Sequence, residues 1–320
     1  MSTVEIVDIP KNIQDFPQNN KFLVRTDISK VITLPNGETT TVYRIQCIRQ
    51  HIHSYYLNVP KGALGGWVSG VHNLTAKGSA WILPKATVCQ KAFVYGGMIS
   101  GNAVVYGNAS IRGQNTMVSE NATVGDYACV ADDAYVCGNA KLHGRAKVSG
   151  TATRIYGNAE IKDSAKVIGH FCTIEGDTVI GGRATVESQD ALATIKGNVV
   201  IDGSIHLRGR VRLSGNLRLS HPYDVLTFSV PFSNQIVMWI NDGGEGVWYA
   251  QPEFYPDYHP ELICKDGSLP SRNDVLCHIV PNETVELWRQ FFNDAEPMIR
   301  RALNYRTKEL MNNGKQEENK

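Results

Sequence analysis

The 320-residue sequence lacks the features that mark several large classes of protein. No apolar run approaches the roughly 18–20 residues that a membrane helix needs. The first residues, MSTVEIVDIPKNIQDF, lack the basic region and apolar stretch of a secretory signal. No CxxC pair occurs among the seven cysteines, which is typical of free thiols in a reducing compartment. We therefore expect a cytoplasmic protein with no membrane partner.

Other absences bear on the kind of site. Neither sign of charge dominates, since 32 Lys and Arg stand against 31 Asp and Glu, so nucleic acid is not an expected partner. No cluster of Cys, His, Asp or Glu has metal-ligand spacing, and we expect neither a metal nor a cofactor. The glycine-rich stretch at 242–246 lacks the Lys-Ser/Thr of a phosphate loop and is interpreted as a hairpin turn.

What the sequence has instead is a six-residue repeat. Alanine recurs at every sixth position from 122 to 152, and an aliphatic residue stands two positions after each of the first five alanines. The same pairing continues upstream to 80 and downstream to 186. Most pairs follow a dipeptide such as Gly-Asn, Glu-Asn or Asp-Asp, whose residues tolerate the left-handed backbone of a sharp corner.

The repeat predicts a mostly β fold. Ala-x-Val has a period of two, so both residues lie on one face of a short strand. Three such units close into a triangular coil, and stacked coils pair each strand with its equivalent about 18 residues further on, at about 4.8 Å per coil. The prediction is a single-stranded β-helix over residues 73–221, with the alanines facing its axis. Wider gaps at 109–122 and 152–159 predict altered corners, but no protruding loop.

The regions outside the repeat are expected to cap it. We predict a flexible segment at 1–20, an N-terminal β cap with a hairpin at 21–72, a C-terminal α+β domain at 222–310 and a disordered tail at 311–320. Exposed strand edges at both ends of a solenoid require such covers.

The C-terminal domain contains the expected self-association surface. Strands are predicted at 225–230 and 235–240, and an amphipathic helix with a kink at Pro297 begins near Asn282. Its apolar stripe is large enough to form a homo-oligomer contact through Trp288, Phe291, Phe292, Met298 and Ile299. The aromatic loop at 251–261 is a weaker candidate for partner binding, through Tyr255 and Tyr258.

The order of these features resembles a widespread family of phage and prophage hexapeptide-repeat proteins. The matching text is YRI at 43–45, KGALGGWV at 61–68, NL at 73–74 and GSAWI at 78–82, followed by runs of GNAxV. The resemblance implies a left-handed β-helix and a phage or mobile-element origin, hence the cytoplasm of a bacterial host. It implies no activity, because such proteins are similar to acyltransferases by fold alone.

A hexapeptide-repeat acyltransferase is the enzymatic alternative. Such enzymes bind an acyl-coenzyme A between neighbouring prisms and use a histidine as general base. The histidines within the repeat, His143, His170 and His206, are weak catalytic candidates. No Asp or Glu stands at a helpful spacing along the chain to orient them, so we lean against catalysis.

The preferred hypothesis is therefore a non-catalytic binding protein that acts on a host protein or a small ligand, as a host-defence or host-takeover factor. Arg208, Arg210 and Arg212 are candidate binding residues, although outward positions alternating with buried leucines explain the same spacing. A virion or tail-fibre component is the structural alternative, disfavoured by the short chain and the lack of a virion-attachment region.

Overall fold

The computed structural model describes residues 5–53, 57–188, 193–209, 211–213 and 216–220, and the backbone of four strands between 225 and 263. This part of the chain is almost entirely β structure. It contains two short 3-10 helices, Ile13–Asp15 and Val71–Asn73, and no α-helix. The helix predicted near 282–310 and the tail at 311–320 lie outside the described residues.

Five strands precede the regular repeat. They are β1 (Phe22–Thr33), β2 (Thr39–Cys47), β3 (His51–His53), β4 (Leu57–Val59) and β5 (Leu64–Val68).

The repeat itself forms short strands, most of two to four residues, which follow one another at nearly constant intervals. They are β6 (Trp81–Ile82), β7 (Thr87–Val88), β8 (Phe93–Val94), β9 (Met98–Ile99), β10 (Val104–Val105), β11 (Ser110–Ile111), β12 (Met117–Val118), β13 (Thr123–Val124), β14 (Cys129–Ala131), β15 (Tyr135–Val136), β16 (Lys141–Leu142), β17 (Lys147–Ser149), β18 (Arg154–Ile155), β19 (Glu160–Ile161), β20 (Lys166–Gly169), β21 (Cys172–Ile174), β22 (Val179–Ile180), β23 (Thr185–Ser188), β24 (Ala193–Ile195), β25 (Asn198–Ile201), β26 (His206–Arg208), β27 (Arg212–Leu213) and β28 (Asn216–Leu219).

Each of these strands pairs in parallel with the strand three positions further along the chain, so the repeat forms three sheets. The eleven-stranded sheet contains β1, β2, β5 and every third strand from β7 to β28. The seven-stranded sheet runs from β8 to β26, and the eight-stranded sheet from β6 to β27. Three sheets that share one winding chain are the three sides of a β-helix, so the predicted fold is confirmed.

The core follows the axis of the coil. The alanines at 122, 128, 134, 140 and 146 are each 0% exposed, and so is the aliphatic residue two positions after most of them. The small side chain fits where three walls converge beside a corner, and the branched one fills the middle of each wall. Burial of this apolar ladder, at about 25 cal/mol per Å² of area removed from water, is the main stabilising term.

Two buried threonines explain the breaks in the alanine ladder. Thr116 and Thr153 occupy inward positions where alanine is missing, and each is 0% exposed. The Thr153 hydroxyl donates to the carbonyl of Gly169 at 2.9 Å, and the Thr116 hydroxyl donates to the carbonyl of Arg112. The first wider spacing therefore adds a residue at a corner, as predicted, and leaves the wall intact. The prediction that Ala152 faces the axis is wrong, because Ala152 lies half-buried at a corner with positive φ and the extra residue precedes the inward Thr153.

One corner is stabilised by an asparagine ladder, formed by Asn102, Asn121, Asn139, Asn158 and Asp177. Each asparagine amide donates to the side-chain oxygen of the next member, at 3.0, 3.1, 3.0 and 2.8 Å in order. The residue before each member has a positive φ, and most of these residues are glycine. This conformation lets the chain turn within two residues. The ladder connects five coils on the solvent side of the corner.

The N-terminal hairpin extends the solenoid at its first edge. β1 and β2 pair antiparallel and form the hairpin predicted in this cap, and β2 pairs antiparallel with β5. β5 in turn pairs parallel with β7, so it is the junction between cap and coil. Hairpin residues Leu34 and Val42 pack on Cys89 and Tyr106, on the outer side of the eleven-stranded sheet.

The glycines of the LGGWV stretch are required at this junction. A Cβ on Gly65 would lie 2.5 Å from Ile45 Cγ1, and one on Gly66 would lie 2.3 Å from Ile82 Cγ2. Neither position has room for a larger residue. Trp81 is 2% exposed and meets the His51 ring edge-on at 5.0 Å between ring centroids.

Residues 5–7 run beside the junction, where the Val7 amide donates to the carbonyl of Gly62 at 3.1 Å. Beyond the repeat, β29 (Val225–Ser229), β30 (Gln235–Ile240), β31 (Gly246–Gln251) and β32 (Glu261–Ile263) form an antiparallel sheet in chain order. The first two correspond to the two strands predicted there, and the third begins where the glycine-rich turn ends.

Candidate functional site

The coil places a carboxylate beside two of the three candidate histidines. His143 follows β16, and its Nε2 lies 2.6 Å from Oε1 of Glu160 on the next coil. Nε2 of His206 lies 3.1 Å from Oε2 of Glu187 on the preceding coil. The expectation that no carboxylate accompanies these histidines is therefore wrong. The partners are 17 and 19 residues away along the chain and meet only because coils stack.

The His143–Glu160 pair lies on an open surface of the eleven-stranded sheet. Its side chains are 36% and 31% exposed. Lys141 is paired in register with Glu160, so the carboxylate faces a cation as well as the imidazole. Such a pair can hold an imidazole in one tautomer and orientation, as a general base requires. His170 differs, since it is exposed at a corner and its carbonyl accepts the Ser188 hydroxyl at 2.6 Å.

The candidate arginines do not form one stripe. Arg208 ends β26 in the seven-stranded sheet, whereas Arg212 begins β27 in the eight-stranded sheet. Leu207 and Leu213, their neighbours, are buried at 0% and 1% exposure, as expected for walls that alternate inward and outward residues. Arg210 lies outside the described residues. The candidate binding residues Tyr255 and Tyr258, and the interface residues Trp288, Phe291, Phe292, Met298 and Ile299, lie outside them too.

A different set of cations does share one face. The basic face is the outer side of the seven-stranded sheet together with the corner that leads into it. Its outward cations, all exposed, are Lys91, Arg112, Arg145, Lys147, Lys166, Arg183 and Arg208. Among the described outward strand positions of this face, the acidic side chain is Glu187, which pairs with His206. The corner that leads into the sheet also carries two carboxylates, Asp126 and Asp163, so cations outnumber acids on the described part of this face by seven to three. Lys147 and Lys166 are register partners on adjacent coils, about 4.8 Å apart along the axis.

The other two faces are mixed in sign. On the eleven-stranded sheet Lys141 is in register with Glu160. On the eight-stranded sheet Arg154 is in register with Thr173, two residues before Glu175. The even charge of the whole chain therefore conceals one side of the prism on which positive charge accumulates. Low net charge excludes a strong overall field, but not a local one.

Exposed aromatic rings lie among these cations. Tyr95 and Tyr127 are 55% and 63% exposed. The Arg112 guanidinium lies 5.0 Å from the Tyr95 ring centroid, and the Arg145 guanidinium lies 5.9 Å from that of Tyr127. Phe93 meets Tyr95 edge-on at 4.0 Å between centroids. Both guanidinium distances are within the range of about 6 Å for cation–π contacts, and the two tyrosine rings remain accessible.

Acidic residues occupy corners on both sides of the seven-stranded sheet, one of which belongs to the basic face. The carboxylates of Asp126 and Asp163 accept the amides of Gly144 and Gly182, at 2.8 and 3.0 Å, one coil further on. At the opposite corner the Asp133 carboxylate accepts both the backbone and the side-chain amide of Asn115, each at 3.0 Å. These carboxylates support the turns, and those of Asp126 and Asp163 offset part of the positive charge at the corner that leads into the sheet.

The chain matches no protein-family model, and no curated protein is significantly similar to it. The geometry of its surfaces is therefore the basis for assigning a function.

A polar cleft of about 250 Å³ lies at the capped end, beside the first coil. Its lining includes Lys21, Arg49 and His51. The Lys21 amine donates to the Ala80 carbonyl, and burial lowers the pKa of this amine to about 8. Beneath it, burial raises the pKa of the Cys47 thiol. The buried Lys21 amine thus satisfies a carbonyl of the first coil, so we interpret the cleft as part of the cap.

The five described cysteines, Cys47, Cys89, Cys129, Cys137 and Cys172, are free thiols, in agreement with the sequence analysis. Burial raises the pKa of both the Cys89 and Cys172 thiols to about 12, so each remains protonated at neutral pH as an apolar filler. The described residues contain no group of three or more potential metal ligands. They also contain no helix long and apolar enough to cross a membrane.

Proposed function

We propose that the chain is a non-catalytic binding protein, encoded by a phage or prophage, whose β-helix presents its basic face to an acidic partner in a bacterial cytoplasm. A host-defence or host-takeover factor is the role that this origin favours. The phage assignment is supported by the resemblance at 43–82, whose central glycines have a packing reason in the fold. The observation that carries the binding role is the sorting of charge onto one side of the prism.

The physical argument starts from rigidity. The parallel ladders hold each outward side chain at a fixed distance from its neighbours on adjacent coils, so the face is preorganised before a partner arrives. Arginine and tyrosine dominate the energetics of many protein surfaces that bind partners, and here they occur as cation–π pairs. A flat, charged wall with fixed aromatic rings is suited to recognition, while no described element forms an enclosed pocket around it.

Affinity capture with matched variants tests this role. The tagged full chain, a variant with Lys147→Glu and Lys166→Glu, and a control with Lys141→Glu and Lys162→Glu are incubated with extracts of bacteria. Retained proteins and nucleic acids are both identified. The wild type and the control should retain a common partner that the basic-face variant loses. Identical retention by all three chains would contradict a binding role for this face.

An acyltransferase is the second candidate, and the His143–Glu160 contact favours it. The pair supplies an oriented imidazole on a prism surface, where a neighbouring subunit of a trimer can complete a site. Calorimetry with acetyl-coenzyme A tests this candidate. Micromolar binding, with acetyl transfer abolished in His143→Asn but partly kept in Glu160→Gln, would support catalysis. No heat of binding is the result that the non-catalytic proposal expects.

A further inference from the structure

The cations and the exposed tyrosine rings of the basic face together indicate which class of partner it binds. We infer that this face binds single-stranded nucleic acid, without strong sequence preference. The inference rests on the proposed binding role and narrows its acidic partner to one class.

The first step of the argument is the shape of the charge distribution. Seven exposed cations, from Lys91 to Arg208, follow the solenoid axis over six coil steps of about 4.8 Å, or roughly 29 Å. Three acidic side chains, Asp126, Asp163 and Glu187, stand among the described positions of the face, so positive charge is in excess there. A narrow positive strip of this length matches a linear polyanion, because each phosphate that meets a Lys or Arg releases a condensed counterion.

The second step concerns the aromatic rings. Tyr95 and Tyr127 lie on opposite borders of the strip, one following β8 and the other at the corner before β14. Both are more than half exposed, and each has a guanidinium against it. Exposed rings beside cations are the arrangement on which unpaired bases stack while the backbone meets positive charge.

The third step separates this partner from duplex DNA and from an acidic protein. Bases in a duplex are already stacked, so exposed tyrosines would gain nothing from them. A wall formed by two- to four-residue strands has no projecting helix or ribbon to enter a groove. An acidic protein would use the cations, but its carboxylates offer no planar surface for the rings. The rings therefore favour an unpaired strand.

The test is fluorescence anisotropy of the full chain with a labelled oligothymidylate at several salt concentrations. The variant with Lys147→Gln and Lys166→Gln should bind more weakly. The slope of its log affinity against log salt should be shallower by about 0.7 for each phosphate that it no longer neutralises. The matched control, Lys141→Gln with Lys162→Gln on the eleven-stranded sheet, should bind as the wild type does. Circular dichroism confirms that each variant is folded.

A second variant isolates stacking. Tyr127→Ala should weaken binding about fivefold or more while leaving the salt dependence unchanged, because the substitution removes a ring that stacks on a base and leaves every cation in place. A duplex of the same length and polyglutamate serve as competitors, and both should compete poorly.

Three outcomes would overturn the inference: no salt-dependent binding of the oligothymidylate, equal weakening in the lysine variant and its control, or polyglutamate competing equally well. If the first or third occurs while affinity capture still depends on Lys147 and Lys166, the binding role survives and the partner is an acidic protein. If capture is also independent of these lysines, both proposals fail.

Discussion

At the scale of single residues, the function of each side chain depends on which side of the wall it faces. Ala146 and Lys147 are neighbours in sequence, but the alanine is fully buried and the lysine is exposed on the basic face. Successive side chains of a strand point to opposite sides of the wall, so one position contributes to stability and the next to recognition.

This separation predicts opposite outcomes for similar substitutions. Ala146→Leu adds three carbon atoms at a position where three walls meet, so it should reduce the free energy of unfolding by about 1–3 kcal/mol or more. Lys147→Leu adds apolar surface on the outside and should change stability little. Urea denaturation of both variants makes the comparison. Equal destabilisation would contradict the assignment of the alanine ladder to the axis.

At the scale of elements, the corners determine how coils stack. The asparagine ladder adds side-chain hydrogen bonds parallel to the axis, at the same spacing as the backbone ladders. Its members repeat because an amide is both donor and acceptor, so each can accept from one coil and donate to the next.

A ladder of this kind should contribute measurable stability. Asn139 accepts from Asn121 and donates to Asn158, so Asn139→Ala removes two hydrogen bonds. We expect destabilisation of about 0.5–1.5 kcal/mol for each bond, towards the lower end because the corner is exposed. Asn108→Ala, at a corner outside the ladder, is the matched control. If thermal unfolding shows the same change in both variants, the ladder is not a stabilising element.

At the scale of the whole molecule, capping and self-association both concern the ends of the solenoid. The hairpin of β1 and β2 covers the first edge of the coil by extending its eleven-stranded sheet. A solenoid that is covered at one end needs an equivalent at the other, either its own C-terminal region or a second copy of the chain.

The aromatic stripe at 288–299 predicts a homo-oligomer held through the C-terminal region. Light scattering should give an oligomer mass for the full chain and a monomer mass for a chain that ends after residue 222. The full-length variant Phe291→Ser with Phe292→Ser should also be monomeric, because it weakens the apolar contact without removing the region. A monomeric wild type would leave the stripe as a cap. An oligomeric truncated chain would place the interface on the prism, the arrangement that a trimeric acyltransferase requires.

The sequence by itself determined which residues of the regular repeat face the axis of the coil. The pairing of Ala140 with Leu142, and of Ala146 with Val148, identified the strands, their buried residues and the three-sided coil. These features are local, because strand, inward side chain and corner all fall within six residues. The break near Thr116 was also marked, since a missing alanine indicates an extended corner. The one near Thr153 was misplaced, because Ala152 keeps the sequence period although it lies at a corner.

Only the tertiary structure decided what the outer surface carries. Side-chain neighbours on a face are one coil apart, and the coil length varies: Val88 pairs with Val105 after 17 residues, but Ile174 pairs with Ile195 after 21. A fixed period of 18 therefore misplaces outward residues. For this reason Glu160 beside His143 was missed. Arg208 and Arg212 were grouped, although they lie on different sheets. The even net charge of the whole chain also concealed a basic face. Outward residues are free of the packing that makes the inward pattern regular, so their positions follow from the fold and not from the repeat.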